Sequence, residues 1–341
     1  MKQVRLGLIG FGNVGQGLAQ ILRDQGPEYA QKYGLDFQIV AISDARLGCV
    51  YQPEGLAPAL LLEQVANAGT LRGLPGEQPD WDALTLIRRC NADVIVELSF
   101  TDLQTGEPAT SHIAEALRQH KHAVTTNKGP VALHYSMLAD LAQQNGVQLG
   151  VEGTVMSGTP TLRVGRELLG AAGIEGVAGI LNGTTNFILT RMEAGATYPD
   201  ALAEAQTLGY AEADPTGDVE GFDAAGKVVI LARLLLGIEI GMNDVDRQGI
   251  TQLTPVDIRE AQAADERWKL IGSLETSADW VRASVRPTRL PLSNPLASVS
   301  GATNAIQFHT RLMGDVTLIG PGAGRLETGY AVIEDLLAIF R

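Results

Sequence analysis

The run Val4-Arg-Leu-Gly-Leu-Ile9 leads straight into Gly10-Phe-Gly-Asn-Val-Gly15 and then into the helical pattern Leu18-Ala-Gln-Ile-Leu22. No other stretch restricts the fold as much. A short apolar run flanked by glycine reads as a buried parallel strand. Glycines at that spacing mark a sharp strand-to-helix turn: Gly10 permits the turn, Gly12 lets the main chain approach a pyrophosphate, and Gly15 allows close helix–strand packing. The helix start, with Asn13, Val14 and Gly15, then offers free N–H groups and a partial positive charge to phosphates. An ordinary glycine-rich βα turn is the competing reading. The context, after a strand and opening a helix, favours a dinucleotide.

Further strands are expected at Phe37-Gln-Ile-Val-Ala-Ile-Ser43, Asp93-Val-Ile-Val-Glu-Leu98, His122-Ala-Val-Thr-Thr126 and Val147-Gln-Leu-Gly-Val151, with a helix over Ser111–His120. Strands alternating with helices give an α/β fold with a Rossmann-type, doubly wound parallel sheet. Asp44 closes the second strand, where an acidic residue binds ribose hydroxyls. It lies further from the glycines than the usual ~20 residues, and Gln25–Asp36 reads as the insert responsible. Arg46 follows and can accept a 2′-phosphate, so Asp44 argues for NAD, Arg46 for NADP, and the choice stays open.

At 341 residues the chain is too long for one ordinary core. The texture changes near residue 150, at the Gly/Ser/Thr/Pro stretch Gly153–Pro160. The expected division is residues 1–150 with 318–341 as a dinucleotide domain, and 151–317 as a second, α+β domain containing a strand at Val177-Ala-Gly-Ile-Leu181. A terminal helix, Ala331–Ile339, follows the turn Gly320-Pro-Gly-Ala-Gly324 and is expected to pack on the first domain. Gly69–Asp82 reads as a surface loop. With 45% hydrophobic and 19% charged residues the composition is that of a globular protein, and a net charge of −13 argues against nucleic acid or an anionic membrane as partner. Two cysteines, Cys49 and Cys90, make neither a disulfide framework nor a zinc site. No signal-peptide pattern precedes the first strand. The longest apolar run, Val228–Leu236, is too short for a bilayer and contains Arg233. The expected location is the cytoplasm.

The segment Gly209–Lys227 places Glu212, Asp214, Asp218, Glu220, Asp223 and Lys227 in a Gly/Pro-broken stretch at the mouth of that apolar run. Asp223 and Lys227 are four apart, on one helix face. A surface ion pair is the plain reading. The helix that follows is apolar all round, so the pair stands at a buried helix start and needs partners or a ligand, as a site for a small zwitterion provides. Leu181-Asn-Gly-Thr-Thr-Asn-Phe187 is a second polar knot before an apolar helix. It can hold a carboxylate, or Thr184 or Thr185 can simply cap the helix. Lys128, in Thr125-Thr-Asn-Lys-Gly-Pro130, lies at the carboxyl edge of the first sheet, where ligands of such folds bind. The five histidines show no metal spacing and read as non-catalytic.

Together these segments resemble homoserine dehydrogenase. The likeness rests on Gly10–Gly15, Thr126-Asn-Lys128, Glu152-Gly-Thr-Val155, Gly179-Ile-Leu-Asn-Gly-Thr-Thr-Asn186, Leu208–Lys227 and Gly320–Gly324, spread over most of the chain. The resemblance implies reversible NAD(P)-dependent oxidation of L-homoserine to L-aspartate 4-semialdehyde. It implies that Glu212 and Asp223 bind substrate, chiefly its ammonium, and that Lys227 stands at the reacting oxygen. Asp218 caps or orients the helix start or extends the substrate pocket, with Thr184 alongside. Lys128 is then the second lysine of the site, and which lysine moves the proton stays open. Gly209, Gly322 and Ser99 are similar to cofactor contacts, and Glu152, Val155, Ser157 and Thr159 to a monovalent-cation site, usually sodium. Ser157 stands where the family often has Gly or Ala. A homodimer built through the second, catalytic domain is expected, and the chain reads as a short form without the regulatory domain. The rival readings are a non-catalytic NAD(P)-binding redox sensor, which needs the glycine turn but not Glu212, Asp223 and Lys227, and a semialdehyde dehydrogenase acting through a cysteine thiolate.

Overall fold

Strand β1 (Lys2–Ile9) ends at Gly10, whose φ of +97° turns the chain into helix α1 (Asn13–Tyr33). In the computed structural model, which describes residues 1–277 and 279–341, α1 runs on through Pro27 and stops at the left-handed Gly34. The extra length at Gln25–Asp36 is therefore carried by helix and strand. It lengthens the helix and opens the next strand, β2 (Leu35–Asp44). Pro27 removes one main-chain donor, but Leu18, Ile21, Leu22 and Tyr29 are buried on both sides of it, and packing holds the helix through the defect.

The chain continues through β3 (Gly48–Tyr51), α2 (Pro58–Ala68), α3 (Ala83–Arg89), β4 (Val94–Glu97), α4 (Ala109–Arg118), β5 (His122–Thr125), α5 (Lys128–Gln144) and β6 (Leu149–Gly150). These strands form one sheet in the order β3-β2-β1-β4-β5-β6. All neighbours are parallel except β2 and β3. The chain leaves β1 for β2 on one side and reaches β4 on the other, so the carboxyl ends of β1 and β4 diverge into the crevice where such sheets bind ligands. The segment Gly69–Asp82 is not simply a surface loop: Leu71 and Leu74 are buried in the core beneath it, and Glu77 bridges to Val50 of β3.

The second part of the chain runs α6 (Thr161–Arg163), β7 (Ile174–Ile180), α7 (Gly183–Glu193), α8 (Tyr198–Thr207), α9 (Thr216–Val219), α10 (Phe222–Leu236), β8 (Val245–Arg247), α11 (Pro255–Ala263), β9 (Glu266–Thr276), β10 (Val281–Pro291), β11 (Thr303–Thr310) and β12 (Gly314–Pro321). Its sheet has the order β12-β11-β7-β9-β10-β8, and only β8 and β10 pair in parallel. Helices α7 and α10 pack on this sheet. The last helix, α12 (Arg325–Phe340), returns to the first sheet's core, where Val332, Ile333, Leu336 and Leu337 join Leu18 and Ile21.

The chain thus divides into two compact units, Met1–Gly158 with Gly324–Arg341, and Thr159–Ala323. Residues 151–158 go with the first unit and 318–323 with the second. Among the described residues no helix is long and apolar enough to cross a membrane.

Candidate active site

In the first unit, the glycine turn lies against the start of the β4 exit. A side chain at Gly10 would sit 2.6 Å from the Leu98 carbonyl oxygen, and one at Gly15 2.8 Å from the Gly10 carbonyl oxygen, whereas one at Gly12 would meet nothing within 4 Å. Two of the three glycines therefore serve close packing, and the middle one faces open space. No side chain caps α1, so its first-turn N–H groups at Asn13, Val14 and Gly15 are left for a ligand. Asp44 does more than wait for ribose. One carboxylate oxygen accepts from the Phe11 N–H at 2.8 Å and the other from the N–H groups of Arg46 and Leu47, each at 2.9 Å. The acid of β2 thereby fixes the turn after β1. A cleft of about 1070 Å³ opens here, lined by Gly10, Gly12, Asp44, Arg46, Ser99 and His112 among others. These groups fit a dinucleotide: open glycine main chain, an uncapped helix N-terminus, and an acid held at the end of the second strand.

The exits of β4 and β5 carry two further predicted residues of this unit. Ser99 lies in the cleft wall. Lys128 is the first residue of α5, directly after Asn127, whose side chain caps that helix by accepting the Gly129 N–H at 3.1 Å. A cation at this end of a helix opposes the macrodipole, so Lys128 sits where local helix energetics would not place it.

In the second unit, the i,i+4 pair on α10 forms as predicted. The Lys227 Nζ donates to Asp223 Oδ2 at 2.7 Å and to the Leu181 carbonyl at 2.6 Å, and Lys227 is only 6% exposed. The left-handed Gly221, with φ of +80°, opens this helix, and Ala224–Ala232 are all buried. Asp218 does not cap α10. It lies in α9 and accepts the Asn182 amide at 2.6 Å. That same amide nitrogen reaches Asp223 Oδ2 at 3.1 Å. Asn182 was not singled out in the sequence, yet it joins both carboxylates and also caps α7, its Oδ1 accepting the Thr185 N–H at 2.9 Å. The cap is thus neither Thr184 nor Thr185; an Asn just before the helix was the available signal. Thr184 instead donates to the Tyr210 carbonyl at 2.6 Å and ties the 209–212 segment to the start of α7. Burial, then the neighbouring Asp223, pushes the Asp218 carboxyl above the usual range, while Asn182, Lys227 and Thr184 oppose the shift.

Other predicted residues are not drawn into this cluster. Glu212 is exposed, and its carbonyl accepts from Gln206 at 3.1 Å. Gly209 is left-handed, φ +77°, just after α8. Gly322 packs on the Asn304 side chain. Asp214 caps the Thr216 N–H locally, and Glu220 accepts from Thr251. In the 152–157 loop, Glu152, Val155 and Ser157 are buried, and Met156 and Ser157 are both left-handed at φ +57° and +54°. Thr159 fits a cation less well, because its carbonyl already accepts the Thr161 N–H and hydroxyl at 2.6 and 3.1 Å. Among the described residues no group of three or more His, Cys, Asp or Glu is placed to hold a metal ion.

A sequence profile described as "Homoserine dehydrogenase" matches residues 160–337, and one described as "Homoserine dehydrogenase, NAD binding domain" matches residues 10–152. The chain belongs to the homoserine dehydrogenase family. It is 46% identical over 340 residues to an "NAD(+)-dependent homoserine dehydrogenase" of Pseudomonas canavaninivorans, covering 99% of this chain and 97% of that one. It is 36% identical to the homoserine dehydrogenase of Bacillus subtilis, where it covers 74% of the relative's length. Among solved structures, a putative homoserine dehydrogenase from Archaeoglobus fulgidus superposes with a TM-score of 0.89 at 35% identity, covering 99% of each chain. A hyperthermophilic archaeal homoserine dehydrogenase in complex with NADPH superposes at 0.85 and 30% identity, covering 99% of this chain and 98% of that one. Membership makes the chain an NAD(P)-dependent oxidoreductase, with the glycine turn of its first unit in the NAD-binding domain. The thiolate alternative loses its support, since Cys49 and Cys90 are buried and burial pushes the Cys49 thiol up to about 11.

Proposed function

We propose that the chain interconverts L-homoserine and L-aspartate 4-semialdehyde, with Asp218, Asp223 and Glu212 holding the amino acid's ammonium and Lys227 facing its side-chain oxygen. One observation carries this reading: Asn182, Asp218, Asp223 and Lys227 form a connected, largely buried cluster with two acids and one base. Two carboxylates held close together in a largely buried cluster suit a ligand that brings an ammonium. Lys227 has three N–H donors, two of them taken by Leu181 and Asp223. The third is available to an oxygen that develops negative charge, where a positioned cation stabilises it. Bound NAD(P) supplies the acceptor for the hydride. Lys128 serves proton transfer, its charge opposed by the α5 dipole. Thr184 acts as the strap that holds Tyr210, and with it the Glu212 segment, rather than as a ligand.

NAD is the favoured cofactor. Three main-chain N–H groups hold the Asp44 carboxylate at the end of β2, and in the proposed ribose contact a 2′-phosphate would meet a like charge there. The NAD(+)-dependent relative from Pseudomonas canavaninivorans supports the same choice. A monovalent cation fits Glu152, Val155 and Ser157. Successive left-handed non-glycine residues such as Met156 and Ser157 cost of order 1–3 kcal/mol each and cluster at functional sites. The homodimer expected from the resemblance belongs to this proposal, and a light-scattering mass of one chain would remove it. The test of the whole reading is the initial rate of NAD or NADP reduction with L-homoserine, in sodium and in choline buffers. The expected result is homoserine-dependent reduction, faster with NAD and faster in sodium. Tight dinucleotide binding without any homoserine-dependent reduction would leave the redox-sensor reading in its place.

A further inference from the structure

Glu97 is the last residue of β4 and is fully buried, in line with Val94, Ile95 and Val96. A carboxylate there costs several kcal/mol unless it is hydrogen-bonded, and an aliphatic residue would fill the position at no such cost. Its surroundings explain it. Oε1 accepts the Ser99 N–H at 3.2 Å and the Ser99 hydroxyl, and lies 3.4 Å from His112 Nδ1. Oε2 lies 3.4 Å from the Thr125 hydroxyl, which also donates to the Glu97 carbonyl at 2.9 Å. Ser99 and His112 line the cofactor cleft, and Glu97 does not. The carboxylate stands directly behind that wall and faces groups that donate. A main-chain N–H cannot reverse its role, so an acceptor-only side chain suits the place.

The same carboxylate couples the exits of neighbouring strands. The Asn127 amide donates to the carbonyls of Ser99 and Phe100 at 3.2 and 2.8 Å, while the Asn127 N–H donates to the Thr125 hydroxyl at 3.0 Å. Thr125 closes β5, and Lys128 follows Asn127. One hydrogen-bonded network therefore fixes Ser99 at the end of β4 and the start of α5 after β5.

We propose that Glu97 is a positioning residue for the cofactor, acting through Ser99, whose main chain and hydroxyl it locks into the cleft wall. This rests on the reading that the cleft takes NAD(P). Its test is a double-mutant cycle read by calorimetric NAD affinity on the intact chain, with Glu97→Gln, Ser99→Ala and the double variant, and with thermal melts alongside. Glu97→Gln keeps the size and one acceptor oxygen and removes the charge. Hydrogen bonds to a charged group are worth ~1.5–3 kcal/mol, so each single substitution is expected to weaken NAD binding about tenfold or more. Because both act on one contact, the double variant is expected to bind no more weakly than the weaker-binding single one. Wild-type affinity in Glu97→Gln or in Ser99→Ala, or a double variant whose loss is the product of the two, overturns the proposal. So does a Glu97→Gln chain that fails to fold, since the carboxylate then serves the core. If the unsubstituted chain binds neither NAD nor NADP, it is the functional reading that fails instead.

Discussion

Asp218 shows how one substitution can separate folding from binding. Burial and Asp223 hold its folded-state pKa above the ordinary 3.8. A folded chain that binds a proton more tightly than the unfolded chain gains stability from it below the unfolded value and loses that gain as pH rises through the folded value. At neutral pH the charged Asp218 therefore works against the fold. Asp218→Asn keeps a partner for Asn182 and is expected to raise the melting temperature at neutral pH, with the gain disappearing below about 3.8. The same change removes one of the charges that hold an ammonium, so the homoserine KM is expected to rise. Melts across pH and initial rates check both signs; a lower melting temperature at neutral pH would show that Asp218 is kept for stability. The resemblance set Asp218 at the helix start or the substrate pocket, but its raised pKa was not legible in the sequence, where it was one of several acids in a broken stretch. Its burial, and its hydrogen bond from Asn182, 36 residues away, come only with the fold.

Helix α7 shows what is gained when an element's start doubles as part of a site. Its cap had to be an Asn, Ser, Thr or Asp near Gly183, and only Thr184 and Thr185 were weighed from the sequence. The backbone decides. Asn182 has extended dihedrals, φ −132° and ψ 116°, as a cap requires, whereas Thr184 and Thr185 already lie inside the helix. Asn182→Ser retains a capping oxygen but loses the amide that reaches Asp218 and Asp223; Asn182→Ala loses both. The alanine variant is expected to lose ~1 kcal/mol of stability and to raise the homoserine KM. The serine variant is expected to recover the stability and not the KM. Denaturant titrations and initial rates on the pair separate the two functions, and recovery of both by serine would reduce Asn182 to a helix cap. The glycine turn, by contrast, was legible residue by residue, because its requirements are local: a left-handed Gly10, an open Gly12 and a close Gly15 within six positions.

At the scale of the molecule, the alternation of strands and helices and the change of texture near residue 150 foretold a parallel sheet followed by a second, α+β domain. Strand order in the second unit was beyond reach, since β7 pairs with β9 and β11 across about a hundred residues and no local pattern encodes that choice. Glu97 escaped notice for the same reason: Ser99 is its neighbour, but His112 and Thr125 arrive only through sheet and helix packing. The Asp223–Lys227 pair was legible because helix periodicity brings i and i+4 together, and the apolar run after it announced burial. In the proposed function, Lys227, held by Asp223 in the second unit, faces the reacting oxygen, while the glycine turn of the first unit binds the dinucleotide. Lys227→Met tests it most directly, with kcat for homoserine oxidation and the NAD dissociation constant measured on the same sample. The expected result is a kcat lower by about 10²–10³ with NAD affinity unchanged. Near-normal turnover with intact NAD binding would contradict it.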